Sequence, residues 1–320
     1  MTRVAFADGD ASSMSERDLI GYGGTPPDIV WPNGARVAVS VVVNFEEGAE
    51  LQVGDGDAVS ERVGEIVSVV PEGVRDQGQE QLFAYGTRVG LWRFLDALNQ
   101  TRTPATFYMC GRAVDQSPDL ARAIGDAGFE AACHGWLWRP HADYKSKEAE
   151  RRDLSRASRA IEAATGQRPR GFFCRGSESA WTRALLAEAG YLYTSNAFDD
   201  DLPYADPSGL TVLPYNLDTN DMKFFHPNGF VRAVEMVDYV RDAVEQLLVE
   251  AGRGRSSTLS IGFHLRISGR PARFRAVTGI LEYLASLDGR IWRAQRIEIA
   301  SHFAASSIAA PIEPETGATT

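Results

Sequence analysis

The chain has 320 residues, 44% of them hydrophobic and 24% charged, which excludes a disordered or low-complexity protein and allows one large domain with its own core. Its 43 acidic and 33 basic side chains give a net charge of −10, which argues against nucleic acid and anionic membrane as partners, since both select basic surface. Three cysteines make no disulfide framework, no run of about 18 apolar residues spans a membrane, and the acidic start carries no secretory core, so a cytoplasmic enzyme is expected.

The leader RDLIGYGGTPPDIVWPNG, rich in Gly, Pro and aromatics, is expected to complete an ordered arm over 1–34. Residues 35–45 (ARVAVSVVVNF) are a β-branched apolar run that predicts a buried strand. Leu91, Trp92, Leu95 and Leu98 stand at helical spacing within 87–99. A strand over 104–109 follows, and Ser117-Pro118 then offers an N-cap and a first-turn proline. Strands are expected over 129–133, 171–174, 191–195, 211–214 and 258–264. Between them come a charged, solvent-facing helix over 148–165 and helices over 181–189, 230–250 and 272–286. The alternation, with no linker, predicts a single α/β domain over 35–303 and a flexible tail over 304–320. A (β/α) barrel fits better than an open doubly wound sheet, because NFEEGAE after the first strand is not a glycine fingerprint.

In a βα barrel, chemistry collects where strands end. The first strand ends at Glu46-Glu47, the strand over 129–133 at His134, the strand over 171–174 at Arg175, and the late strand at His264-Leu265-Arg266. Singly, each has an ordinary reading: a solvated turn for the acids, a core histidine for His134, an ion-pair partner for Arg175. Their joint placement on one rim is the functional signal. Adjacent carboxylates also push one pKa upward, which suits a general base. His226 and His302 lie away from strand ends and read as structural.

These residues carry a resemblance. Asn44-Phe45-Glu46-Glu47-Gly48 is similar to the first motif of the NodB-homology polysaccharide deacetylases. Arg17 to Gly23 (RDLIGYG), Cys133-His134-Gly135-Trp136, LPYNLDTNDMKFF over 213–225 and His264 to Pro271 resemble the allantoinase-like and cyclic-imide-hydrolase branch of that family. The resemblance implies a distorted (β/α) barrel of seven strands and hydrolysis of a non-peptide C–N bond. It makes Glu46 the general base and His264 the general acid. Glu47 and His134 fall on metal ligands, and Arg175 on the arginine that orients the base, although Cys174 to Glu178 departs from the family pattern. The position of the second metal histidine holds Trp138, whose indole cannot ligate. A helix would carry His141 about 10 Å from His134, too far to share one ion, whereas a loop at Pro140 could fold it back. No cofactor is therefore expected, with a divalent metal such as zinc on Glu47, His134 and His141 as the alternative.

The expected reaction is hydrolysis of a small soluble ureide, cyclic imide or related amide, with Trp136, Trp138, Arg266 and Arg270 binding substrate among Phe172 and Phe173. The rival readings are a metal-dependent N-deacetylase of an acetylated sugar and a non-catalytic ligand-binding barrel. The aromatic arm and the resemblance lead to an expected homo-oligomer, a dimer or tetramer.

Overall fold

In the computed structural model, which describes residues 18–306, the strands follow the chain as β1 (Val37–Phe45), β2 (Ala105–Met109), β3 (Glu130–Cys133), β4 (Gly171–Phe172), β5 (Tyr193–Thr194), β6 (Tyr204–Ala205), β7 (Thr211–Val212), β8 (Ser257–His264) and β9 (Trp292–Arg293). Their order across the sheet is β6-β7-β5-β4-β3-β2-β1-β8, with β9 beside the start of β1. From β7 to β8 every neighbour is parallel, which makes the expected seven-strand run. The short antiparallel β6 and the edge strand β9 are additions that the sequence reading missed.

The barrel is distorted because, among the described residues, no strand joins β7 to β8. Irregular chain fills the gap. The Tyr215 N–H donates to the Ala197 carbonyl (2.8 Å), and Asn216 exchanges bonds of 2.8 Å with Ser260 of β8. The Gly262 N–H donates to the Thr219 carbonyl at 3.1 Å. Side chains and single backbone bonds thus replace a ladder, satisfying groups that would otherwise be buried unpaired.

Helices α1 (Gln77–Tyr85), α2 (Leu91–Thr101), α3 (Gly111–Gln116), α4 (Pro118–Asp126), α5 (Lys147–Thr165), α6 (Thr182–Glu188), α7 (Ala233–Ala251), α8 (Leu265–Ser268), α9 (Pro271–Ser286) and α10 (Arg296–Ala305) accompany the sheet. The helix expected over 87–99 begins instead as a π-turn, Gly86–Gly90. The Ser117 side chain does not cap α4, whereas Ser146 caps α5 through the Ala149 N–H at 3.2 Å. The last helix, α10, was not expected and runs through Ala305, two residues past the boundary set at 303. Among the described residues no helix is long and apolar enough to cross a membrane.

All nine residues of β1 are buried, and their parity divides the core. Val37, Val39, Val41, Val43 and Phe45 point outward into the core under the helices, which also holds Phe94, Ile161, Val240 and Ile280. Ala38 and Val42 face the barrel interior with Tyr108, Ala132, Tyr193 and Leu213. Arg296, at the start of α10, reaches into that interior and donates to the Ser40 and Ser195 hydroxyls and to the Leu213 and Pro214 carbonyls. Of the arm expected over 1–34, Ile29 and Trp31 are buried, and the Trp31 indole donates to the Ser257 carbonyl at 3.1 Å. Residues 1–17, Arg17 of the leader motif included, and 307–320 of the expected tail lie outside the described residues.

The π-turn lets α2 approach the end of β8. Gly90 has helical φ and ψ of −58° and −49°, so its backbone would accept any residue. A Cβ there would overlap the Leu265 carbonyl group. Gly90→Ala is therefore expected to cost about 1–3 kcal/mol, the usual cost of overpacking. Urea unfolding of the two proteins checks this, and equal midpoints and slopes would refute the close approach.

Candidate active site

Strand parity places the site. Side chains alternate along a strand, so the inward face of β1 (Ala38, Ser40, Val42, Asn44) continues to Glu46 one step past its end. In β8 the outward Leu259, Ile261 and Phe263 leave His264 on the interior face, in register with Asn44. In β3 the outward Ala131 and Cys133 leave Ala132 and His134 inside. Three strands that meet side by side or through one neighbour thus aim Glu46, His134 and His264 into one mouth.

Glu46 is the centre. Its carboxylate is fully buried. Oε1 lies 3.1 Å from His134 Nε2 and 3.5 Å from His264 Nε2, and Oε2 accepts from Arg266 Nη1 at 2.6 Å. Burial pushes this carboxyl up, but the His264 and Arg266 charges and the imidazole hydrogen bonds outweigh it and hold Glu46 well below the carboxylate range. His134 Nδ1 donates to the Phe173 carbonyl, which fixes the ring, and the Phe173 ring stacks on it with centroids 5.3 Å apart.

His264 is held by Asp221, a residue that the sequence reading did not single out although it lies in LPYNLDTNDMKFF. Asp221 accepts from His264 Nδ1 at 2.6 Å and from its backbone N–H at 2.8 Å. Burial opposes the charge on His264, but Glu46 and Asp221 outweigh it and push its pKa up to about 9. Asp221 escaped notice because it begins a 3₁₀ turn (Asp221–Phe225) in the irregular stretch beside β8, not a strand end.

Of the two adjacent acids, the raised one is Glu47. Burial first, and the Glu46 charge, push it to about 7 against the pull of Arg266. The expectation that the raised acid would be the base is thus corrected: the cations gather on Glu46. Glu47 accepts from the Arg266 and Glu46 backbone N–H groups at 3.1 and 3.2 Å.

Other expected site residues are dispersed. The guanidinium against Glu46 belongs to Arg266, not Arg175. Arg175 pairs with Glu61 at 2.6 Å and lies 3.8 Å over the Trp138 ring. Trp138 does wall the site, with the Arg266 guanidinium 4.7 Å from its ring centroid, and the Phe83 ring lies 4.4 Å from the same guanidinium. Trp136 turns away: Arg156 of α5 covers it at 3.5 Å and its edge abuts Gly111 of α3, so it packs the helix layer. Phe172 lies in the outer core beside His141. Arg270 stacks on Tyr85 at 3.8 Å and, with Arg266, Phe83, Leu82 and Phe225, lines a narrow cleft that is partly open to solvent.

The ligand set left open by the sequence, Glu47, His134 and His141, does not fit a shared ion. Pro140 has extended backbone and turns His141 onto α5, where Glu150 takes Nδ1 at 2.9 Å. Both Glu47 oxygens face backbone donors, and His134 faces Glu46. Among the described residues no three His, Cys, Asp or Glu side chains form a metal-holding group. What the arrangement offers is a buried ionised carboxylate, an imidazolium and a guanidinium within one contact shell.

Comparisons with known proteins agree with this architecture. A model of the polysaccharide deacetylase family matches residues 80–194. A Schizosaccharomyces pombe protein assigned by name to the polysaccharide deacetylases is 33% identical over 315 residues, covering 90% of this chain and 97% of that one. The crystal structure of a Pseudomonas aeruginosa PAO1 protein named a probable polysaccharide deacetylase superposes with a TM-score of 0.84 at 40% identity, covering 90% and 97% of the two chains. The crystal structure of PuuE allantoinase superposes with a TM-score of 0.86 at 38% identity, covering 92% and 99%.

The raised His264 has a measurable consequence. A histidine raised above its ordinary 6.5 stabilises the fold fully below that value, and the contribution is lost as pH rises through about 9. NMR titration of the imidazoles should place the His264 midpoint near 9. Asp221→Asn should lower that midpoint by about 1–3 pH units. A His264 titrating near 6.5, or one unmoved by the substitution, would refute the pairing.

Proposed function

The chain belongs to the polysaccharide deacetylase family, hydrolases of non-peptide C–N bonds, and from that membership we propose that it hydrolyses a small ureide, cyclic imide or related amide. In this reading Glu46 takes a proton from water, and the resulting hydroxide adds to the substrate carbonyl carbon. Arg266 stabilises the oxyanion. The C–N bond breaks as His264 Nε2–H gives its proton to the departing nitrogen. The 3.5 Å between Glu46 Oε1 and His264 Nε2 then lets the proton return from acid to imidazole, which restores both groups. General acid and base each supply about 10²–10⁴-fold and an oxyanion donor about 10²–10³-fold.

The observation that carries the substrate class is the cationic shell on Glu46. A carboxylate held well below its usual range is a weak base, which favours a carbonyl already activated by a second acyl or carbamoyl group over a plain acetamide. The 38% identity to a protein named allantoinase supports the same reading.

A hydrolysis panel tests it. Allantoin, hydantoin, succinimide and maleimide are set against N-acetylglucosamine oligomers. At least one ureide or imide should turn over, and Glu46→Gln should lower its kcat/KM by about 10²–10⁴-fold. Turnover of the acetylated oligomers alone would return the chain to sugar deacetylation, and no turnover by folded protein across a broad amide set would favour a binding role.

A further inference from the structure

The failed fit of a metal leaves a question that the geometry answers. Glu46 and Glu47 are adjacent, buried acids, and a pair of that kind needs positive charge beside it. One residue meets both. Arg266 gives Nη1 to Glu46 Oε2 at 2.6 Å, places the same nitrogen 3.8 Å from Glu47 Oε1, and gives its backbone N–H to that oxygen at 3.1 Å. The residue is 5% exposed.

The shelf beneath the guanidinium is the position that could not ligate. The Arg266 carbon centre lies 4.7 Å from the Trp138 ring and 4.4 Å from that of Phe83. Flat, delocalised and weakly hydrated, a guanidinium tolerates burial between aromatic faces far better than a hydrated ion does. Trp138 is fixed in turn by Arg175 at 3.8 Å, which Glu61 anchors at 2.6 Å. Its backbone N–H bonds the Ala49 carbonyl at 2.9 Å, tying the shelf to the loop that carries the two acids.

We infer that the Arg266 guanidinium is the resident cation of this site: it occupies the place beside Glu46 and Glu47 where a divalent ion would have to bind, with Trp138 as its platform. The pair Trp138–Arg266 therefore acts as a unit that excludes metal. Restoring an imidazole at position 138 is not enough to recruit an ion while the guanidinium stays, because the fixed positive charge repels it across a few ångströms of low-dielectric interior. The unit also does what a bound ion does for a carbonyl. Arg266 lines the cleft, so its positive charge borders the space a substrate carbonyl would enter. This inference is independent of which substrate the enzyme takes.

Zinc binding tests it without any substrate. Isothermal titration with zinc compares the wild-type chain, Trp138→His, and the double variant Trp138→His/Arg266→Met, each checked for fold by circular dichroism. The wild type and Trp138→His should hold no stoichiometric zinc. The double variant, with Glu47, His134 and the new imidazole and without the guanidinium, should bind one zinc per chain about 100-fold tighter or more. Stoichiometric zinc in the wild type, zinc bound to Trp138→His as tightly as to the double variant, or a folded double variant that binds none would each overturn the inference. Should the double variant not fold, Trp138→His decides alone: tight zinc there overturns the inference and its absence upholds it.

Discussion

A single buried carboxylate sets the terms for the mouth of this barrel. An ionised Glu46 with no solvent contact is costly unless charge and hydrogen bonds surround it. The chain supplies them from three places far apart in sequence: His134 at the end of β3, His264 and Arg266 where β8 passes into α8, and Asp221 behind His264. Each needs the others. Remove Asp221 and His264 loses one of the two carboxylates that favour its charge; remove Arg266 and two acids share a dry corner.

The surrounding fold is shaped to hold that cluster. Gly86 has no side chain because a Cβ would strike the Glu47 carboxylate and the Arg266 backbone, and Gly90 admits the Leu265 carbonyl on the next turn. The break between β7 and β8 serves the same cluster. A regular strand there would present alternating side chains and a saturated ladder. The irregular stretch instead leaves Asn216 and Thr219 to tie down β8 and frees Asp221 to meet both the ring and the backbone of His264. At the opposite end, the interior is closed by Arg296 and by apolar residues of the arm, so the cleft opens on one side.

Charge placement also separates the roles of two neighbouring acids. Glu46 and Glu47 share a dipeptide and complete burial, yet one is held well below its ordinary range and the other rises to about 7. The difference is geometric. Glu46 points into the barrel, where imidazoles and guanidinium converge, whereas Glu47 turns back onto backbone N–H groups. In the proposed mechanism, a base that stays ionised beside an acid that keeps its proton to about pH 9 is a coherent pair at neutral pH.

The amino-acid sequence by itself determined what depends on local period and chain order. The β-branched run of β1, its two-residue alternation and the helical spacings around it were enough for a parallel (β/α) barrel, and the same alternation put Glu46, His134 and His264 on one rim. Only the tertiary structure decided which side chains meet there. Nothing local distinguishes Arg266 from Arg175, since both follow strands; the choice rests on Trp138 standing between them and Glu61 claiming the second. His141 was open until Glu150 of α5 took its Nδ1, Trp136 until Arg156 and Gly111 claimed it for the helix layer. Asp221 lies 43 residues before the histidine it charges, in a segment without periodicity. Such pairings are contacts between distant parts of the chain, and a periodic signal carries the face on which a residue lies but not the partner it finds.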